Sequence, residues 1–476
     1  MNFINDFIMT IRGCQMSAWP VRVESRRASR GLPSSLLKEC SMANPQGEKT
    51  LADLSSARRW TILILASIGS SIIYAPAYLK AVFYDPLLKA LNVSNTELGA
   101  VFGAYAMTAL ICYLPSGIVA DKVRMRTLST VGFVSTAILT AIYATLPSLK
   151  VLYVVFILMG VTTILIWWGV RYKLVRLVSS EEEYPKWIGL SYGFYGVAGL
   201  LIGLISTAIV AAVGSNLRLG VSVYLYFLAG LIFLLGVASW LCIPKFAGEM
   251  SDSGSFSLKE FGLALRDPVV WMAAITLFFV YFFYTGVTYT TPYMTGVLGV
   301  SLAAATVVAN VRNYGITLLS GPIFGQIAAR FRPSVTIAAG SLVFVGALLA
   351  LMFLPAGGSV MVIACILVVL LGFIANGAFG VVSAQLTEGK VPLTYFGAAT
   401  GMLSIIGFLP DTFSSTWFGA IMDAHTNSAG TVTRAAYQQI FWILIVTAVL
   451  AVISSLVLYW YIRRTSRQQA AGVLGE

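Results

Sequence analysis

Two ionisable residues stand where a bilayer would put hydrocarbon. Arg312 is the twelfth residue of a 24-residue apolar run, 301–324, in the stretch "VVANVRNYG". Asp411 follows Pro410 inside a second run, 396–421, and is the only acid at mid-depth in any such run. A charge at the bilayer centre costs at least ~2.5–3.5 kcal/mol on insertion scales, so each residue must face a cavity or a partner. Two arrangements meet that demand. Arg312 and Asp411 can tie two helices together as an ion pair, or Arg312 can bind a substrate anion while Asp411 carries a proton. A pair broken and remade during a cycle would do both. Asn310, Asn313 and Tyr314 surround the arginine and offer further polar contacts.

Hydroxyl stripes form a second group. Ser67, Ser71, Tyr74 and Tyr78 are spaced i, i+4, i+7, i+11, which places them on one helix face. Tyr281, Tyr284 and Thr288 repeat the pattern further on. Such faces suit sugar hydroxyls or carboxylates, and equally suit hydrogen bonds between helices. Pro76, Gly286 and Pro292 are the expected flexure points. A third cluster, "GIVADKVRMR" at 117–126, crowds Asp121, Lys122, Arg124 and Arg126 together, and a weaker copy, "GQIAARFRPS", recurs at 325–334.

The elements that must position these groups are membrane helices. The chain has 476 residues, 58% hydrophobic and 11% charged, where a soluble domain carries about 25% charged residues. Mean hydropathy is +0.85. Twelve apolar runs are long enough to cross ~30 Å of hydrocarbon as helices: 60–84, 95–116, 127–147, 150–170, 187–212, 220–243, 269–292, 301–324, 334–354, 359–382, 396–421 and 437–461. Lipid cannot satisfy open backbone, and no alternating barrel pattern appears, so helix is the expected state. Ser94 with Glu97, and Ser180 with Glu183, read as capping boxes opening the second and fifth spans. The expected fold is an all-α polytopic membrane protein.

Charge sets the orientation. With the N-terminus inside, cytoplasmic segments from residue 42 onward hold 18 Lys or Arg, and the outer segments hold four, Lys89, Lys150, Arg218 and Arg434. Both termini are therefore expected in the cytoplasm. The longest hydrophilic loop, 244–268, contains "SLKEFGLALRD", a candidate surface helix. It divides a six-span half at 58–243 from another at 269–461, between an N-terminal segment 1–57 and a tail 462–476. The two basic clusters fall at matching places in the halves, Gly117 with Gly325, Lys122 with Arg330 and Arg124 with Arg332. Internal repeats of this kind are typical of secondary transporters. Residues 1–41 lack the basic start and apolar core of a signal peptide. Met42 is the expected start, the alternative being a regulatory tail.

Other classes are disfavoured. The net charge of +12 follows from cations held inside rather than from nucleic-acid binding. The five cysteines are scattered, which suggests neither a disulfide framework nor a metal knuckle, and His425 sits alone in a polar loop. No phosphate-binding Gly-Lys-Ser/Thr loop is present, nor a nucleophile–base arrangement, so neither ATP-driven transport nor an enzyme is expected. No cofactor is implied.

On these residues the chain resembles the major facilitator superfamily. That family joins its second and third helices by Gly-x-x-x-Asp-Arg/Lys-x-Gly-x-Arg/Lys. Gly117, Asp121, Lys122 and Arg126 match, while Arg124 stands where the family has its second glycine. The second copy keeps Gly325 and Arg330 but has Ala329 in place of the acid. The segments "IYAPAYLKAVFYDP" and "IGFLPD" look like an enterobacterial inner-membrane branch of the family. The resemblance covers about residues 58–462.

It implies twelve helices in two pseudo-symmetric bundles that work by alternating access, as a monomer. It implies that Asp121 locks the cytoplasmic side by accepting hydrogen bonds from the start of the eleventh span, near Thr394 to Gly397, where the helix dipole favours negative charge. Gly117 would permit close approach, while Lys122, Arg124, Arg126 and Arg332 serve as lock or as topology anchors. It also implies a substrate site between the halves, lined by the first, fourth, seventh and tenth spans. Trp168 in the fourth and Asn376 in the tenth then join the candidates, while Arg171 is expected to reach out to lipid headgroups. Glycines at 189, 193, 196, 199 and 203 of the fifth span suit close helix packing. That span lacks the family's antiporter Gly-Pro step, which argues against proton-exchange efflux of drugs. The expected activity is proton-coupled import of a small organic anion. Alternatives are export or exchange of a polar metabolite, or a transporter-like sensor.

Overall fold

The computed structural model describes residues 47–213, 216–250, 258–355, 358–392, 394–428 and 430–473. The expectations for residues 1–41 and Met42 lie outside these. In the first half the helices are α1 (Ser56–Tyr74), α2 (Tyr84–Leu91), α3 (Asn95–Lys122), α4 (Met125–Ala144), α5 (Leu149–Gly160), α6 (Trp168–Leu177), α7 (Tyr184–Val213) and α8 (Leu217–Cys242). A short α9 (Leu258–Arg266) forms in the expected central loop. The second half holds α10 (Pro268–Gly286), α11 (Thr290–Gly296), α12 (Leu302–Asn310), α13 (Thr317–Phe331), α14 (Pro333–Phe353) and α15 (Gly358–Val381). After it come α16 (Ala384–Glu388), α17 (Phe396–Gly407), α18 (Pro410–Ala424) and α19 (Arg434–Val473). Extended pairing among the described residues is limited to two isolated bridges, Lys49 with Phe246 and Thr426 with Val432.

Local chemistry sets the helix ends. Ser94 Oγ accepts the Glu97 N–H at 3.2 Å and Glu97 returns a carboxylate to the Ser94 N–H at 2.8 Å, the capping box expected before the second span. Ser180 and Glu183 repeat it before α7 at 3.2 and 3.3 Å. Pro76 ends α1, and the chain continues through a 3-10 turn at Leu79–Ala81. The seventh span breaks at Gly286 and resumes as α11. The eleventh breaks at Phe408–Leu409, so that Pro410 opens α18, where its missing N–H is no loss.

Among the described residues, ten helical stretches are long and apolar enough to cross a membrane. The expected first and eighth spans are helical but fall outside that set. α1 carries Arg58 and Arg59 at its start and stops at Tyr74, while the eighth carries Asn310, Arg312 and Asn313 mid-span, at and beside a π-helical turn, Val311–Gly315. Outward faces are apolar, with Leu241, Ile111 and Phe353 at 69%, 68% and 66% exposure. Such faces are natural against hydrocarbon and would be an anomaly in water.

The halves meet along two helix pairs, α3 with α18 and α7 with α12. In the first pair the contacts run antiparallel. Gly419 lies against Asn95, Gly99 against Ser415, Gly103 against Thr412, and Tyr113 against Phe408 with ring centroids 5.3 Å apart. At Gly99 and Gly419 the facing backbone leaves no room for a β-carbon.

Candidate functional site

A cavity of about 130 Å³ lies between the halves, where the broken helices converge. From the first half it receives Tyr74, Tyr78 and Lys80, and from the second Arg312, Asn313, Asp411, Tyr281, Tyr284 and Asn376. A second, larger cavity of about 870 Å³ lies beside it, walled by residues such as Gly325, Arg332 and Glu388, and Asn376 lines both. Those residues lie at the end of the molecule where α13 passes into α14 and α16 closes on it. The opposite end is tied shut. Asp85 accepts the Thr295 hydroxyl at 2.6 Å across the halves, and Asp423 caps the first turn of α3.

Arg312 owes its position to the π turn, in which the Ile316 N–H reaches Val311 O at 2.9 Å. It is 2% exposed. Its guanidinium donates to Val287 O at 3.0 Å, Thr290 Oγ1 at 2.9 Å and Thr291 Oγ1 at 3.1 Å, where the seventh span tightens into a 3-10 turn at Val287–Tyr289. It also donates to Asn313 Oδ1 at 3.1 Å and, across the halves, to Ala81 O at 2.9 Å. All of these acceptors are neutral. The ion pair with Asp411 considered from the sequence is not formed. Carbonyls of the 3-10 turns after α1 and α10, Ala81 O and Val287 O, and the hydroxyls of Thr290 and Thr291 supply acceptors in its stead.

Asp411 sits in the first turn of α18, 5% exposed, and its Oδ2 accepts the Tyr281 hydroxyl at 2.6 Å. Its other oxygen has no hydrogen-bond partner. The charge it faces is Lys80, a residue the sequence reading passed over. Lys80 is 8% exposed. Its ammonium donates to Ser415 Oγ and lies 3.6 Å from the centroid of the Phe102 ring. It was missed because it falls near the end of the expected span 60–84, where a lysine ordinarily reaches to the interface. The turn at Pro76 folds it inward, and that proline was the available signal.

Other candidates separate from the cavity. Asn310 is fully buried beside a smaller cavity lined by Ser71, Ser206 and Tyr224, and its amide packs on Gly203 of α7, where no β-carbon would fit. Both Asn310 side-chain polar atoms and Ser71 Oγ lack hydrogen-bond partners. Trp168 packs edge-on against Tyr113 and Tyr172 and borders the Arg171 niche. Arg171 does not reach lipid. It is 5% exposed, bonded to Ser191 Oγ at 3.2 and 3.3 Å, with its guanidinium 4.6 Å from the Tyr192 ring and 5.1 Å from that of Tyr195.

In the basic cluster, Asp121 accepts Lys173 Nζ at 2.7 Å, within its own half, and not the start of α17. Arg124 bridges Glu48 at 2.7 Å and Glu249 at 3.2 Å, and Glu249 also accepts the Met125 N–H at 3.1 Å, capping α4. Burial pushes the Glu249 carboxyl up, against the Met125 hydrogen bond and the Arg124 charge. In the second half Glu388 caps α14 likewise, accepting the Ser334 N–H at 2.9 Å. Arg126 lies over Trp240 at 4.1 Å, Arg330 near Phe331 at 5.4 Å and Arg332 near Tyr459 at 5.8 Å. Lys122 is exposed, and Gly117 and Gly325 face open space, so the close approach expected at Gly117 is not made in this conformation.

Comparison with known proteins agrees with this architecture. The inner membrane protein YqcE of Escherichia coli (strain K12) is 28% identical over 366 residues, covering 75% of this chain and 86% of its own. YihN, another inner membrane protein of that strain, is 22% identical over 422 residues, covering 87% and 98%. Among solved structures, a bacterial homolog of the human lysosomal transporter Spinster, inward-facing and unoccupied, superposes with a TM-score of 0.68 at 16% identity, covering 87% of this chain and 98% of that one. The nucleoside transporter NupG gives 0.64 at 14% identity, covering 84% and 99%. The family model of the Major Facilitator Superfamily matches residues 59–415. An all-helical multi-pass membrane protein with a polar cavity between two halves, the chain belongs to the Major Facilitator Superfamily.

Proposed function

We propose that the protein is a secondary transporter of the inner membrane that imports a small polar anion together with a proton. The observation that carries this reading is the shared cavity: Lys80 and Arg312 bring positive charge to it from opposite halves, and Asp411 lines the same space. A buried cation without a carboxylate partner favours an anionic ligand, and a buried carboxylate with one free oxygen is a natural proton carrier. Halves 58–243 and 269–461 then rock about the site as two bodies. Both termini are cytoplasmic in this reading, so the large cavity by Arg332 and Glu388 faces inward. Asp121, freed from the eleventh span in this conformation, is the lock of the opposite one. Trp168 and Asn310 support the walls of the site, and Asn376 stands on the exit route.

The test is uptake into proteoliposomes. Candidate anions come from a metabolite panel screened by thermal shift. Uptake should rise with an inward proton gradient and fall in Asp411→Asn. Uptake that is indifferent to the gradient would remove the coupling. Accumulation driven only by a counter-solute inside would favour exchange over import.

A further inference from the structure

The buried charges of the membrane interior do not balance. Among the described residues, Lys80, Arg171 and Arg312 are buried there against one acid, Asp411. Among the described residues none of the three cations has a carboxylate within ion-pair distance. Arg312 bonds to carbonyls, hydroxyls and an amide, Lys80 to one hydroxyl and Arg171 to another. Charge buried without compensation is costly, so a ligand that offsets it is favoured.

The two cavity cations differ in what they have left to give. A guanidinium has five N–H donors and an ammonium three. The Arg312 guanidinium already serves five protein acceptors. Lys80 donates to Ser415 Oγ alone, and its ammonium is otherwise held by the face of Phe102. Lys80 therefore has two N–H donors free for a ligand, while Arg312, whose Nη1 shares two N–H groups among three acceptors, has one left on Nη2. Counting Lys80, Arg312 and Asp411, the cavity carries one positive charge when Asp411 is ionised and two when it is protonated. Arg171, in the niche that shares Tyr74 and Tyr195 with the cavity, adds to the same sign.

Resting on the reading of this cavity as the substrate site, we propose that the substrate is a small dianion, a dicarboxylate or a phosphate monoester, contacted by Lys80 and bound together with a proton on Asp411. The cavity is then neutral when loaded. Protonation of Asp411 and binding of the dianion each favour the other, by linkage. Besides Lys80, the titratable groups facing Asp411 are tyrosines: Tyr78, Tyr105 and Tyr113 from the first half, and Tyr281, Tyr284 and Tyr289 from the second. A phenol stays neutral at physiological pH, so Asp411 and Lys80 are the groups that set the cavity's charge.

The experiment is a binding titration on the purified full chain. The probes are three- to six-carbon dicarboxylates, each beside its monoamide, and phosphate monoesters of the same size, each beside its methyl ester. Each pair keeps the skeleton and differs by one charge. The expected result is a dianion bound at least tenfold more tightly than its monoanionic partner, and more tightly at pH 6.5 than at 8. Which series contains it separates the carboxylate from the phosphate source. Lys80→Gln should erase the preference, Lys80→Arg should keep it together with the pH dependence, and Asp411→Asn added to Lys80→Arg should remove that dependence. Monoanions binding as tightly as dianions would overturn the proposal while leaving the anion site standing. So would a Lys80→Gln protein that melts lower yet retains the preference, since Lys80 would then be a structural tie. If no anion of either charge binds while neutral solutes from the metabolite panel do, the anion site itself is wrong and this proposal falls with it.

Discussion

The carboxylate of Asp423, at the end of α18, holds Thr96 at the start of α3 by two hydrogen bonds, from its backbone N–H at 2.8 Å and its hydroxyl at 2.6 Å. Asn95 adds two more, at 3.0 and 2.7 Å. An acid at a helix N-terminus meets unpaired N–H groups and the positive end of the dipole. Because α3 and α18 run antiparallel, Asp121 at the far end of α3 has the mirror relation to the start of α17. One cap is made and the other is free, with Asp121 on Lys173 instead.

Removing the closed cap should open that end. Asp423→Asn keeps the shape but weakens charge-assisted bonds worth roughly 1.5–3 kcal/mol each, enough to move a two-state population tenfold or more. Single cysteines near Asn95 and near Lys173, labelled from either side, would report it. Equal labelling in variant and parent would show that Asp423 is no lock.

Asp121→Asn should act in the opposite sense. It costs this conformation only the half-exposed pair with Lys173 and costs the opposite one a helix cap, so the form closed at the Asp423 end should gain population. The same two cysteines read it. Increased labelling near Asn95 would contradict the assignment.

Arg312 is bonded to neutral groups, so its loss should not be repaired by neutralising Asp411. Arg312→Ala strands the carbonyl of Ala81, at roughly 1–3 kcal/mol for a buried group left unpaired, and empties the space its side chain fills. The melting temperature should fall by several degrees. Adding Asp411→Asn should leave it low. Recovery in the double variant would revive the direct pair.

Glu249 gives a pH signature. Its folded carboxyl titrates above the ordinary glutamate value of about 4.3, because burial outweighs the Met125 and Arg124 contacts. Its contribution to stability is therefore full below that value and is lost as pH rises through the raised one. Glu183 runs the other way. A hydrogen bond from Arg59 holds it low, so its contribution is present above the ordinary value and lost as pH falls. Thermal melts from about pH 3 to about pH 8 should lose the first slope in Glu249→Gln and the second, at the acid end, in Glu183→Gln. A slope unchanged in its own variant would reject that assignment.

The fold was legible because lipid enforces a single solution for long apolar runs. Capping boxes at Ser94 and Ser180 could be read because their partners lie three residues away. The site was legible where a charge stood mid-span, as at Arg312 and Asp411. It was not legible where a helix bent. Lys80 and Arg171 looked like interfacial cations by their distance along the sequence, and the breaks at Pro76 and in α5–α6 carried both inside. The carbonyl partners of Arg312 also lay hidden, since backbone groups have no letter in a sequence.

The π turn at Val311–Gly315 leaves the eighth span with one residue more than an α turn would hold. Successive residues of an α-helix are about 100° apart around its axis. Were the turn to tighten to α spacing, everything beyond it would swivel by about that angle without α12 moving. Tyr314 would leave Gly199, against which it now packs, and Asn313 would leave the cavity wall. In this conformation the bonds of Arg312 to Ala81, Val287, Thr290 and Thr291 hold that turn in its wide form.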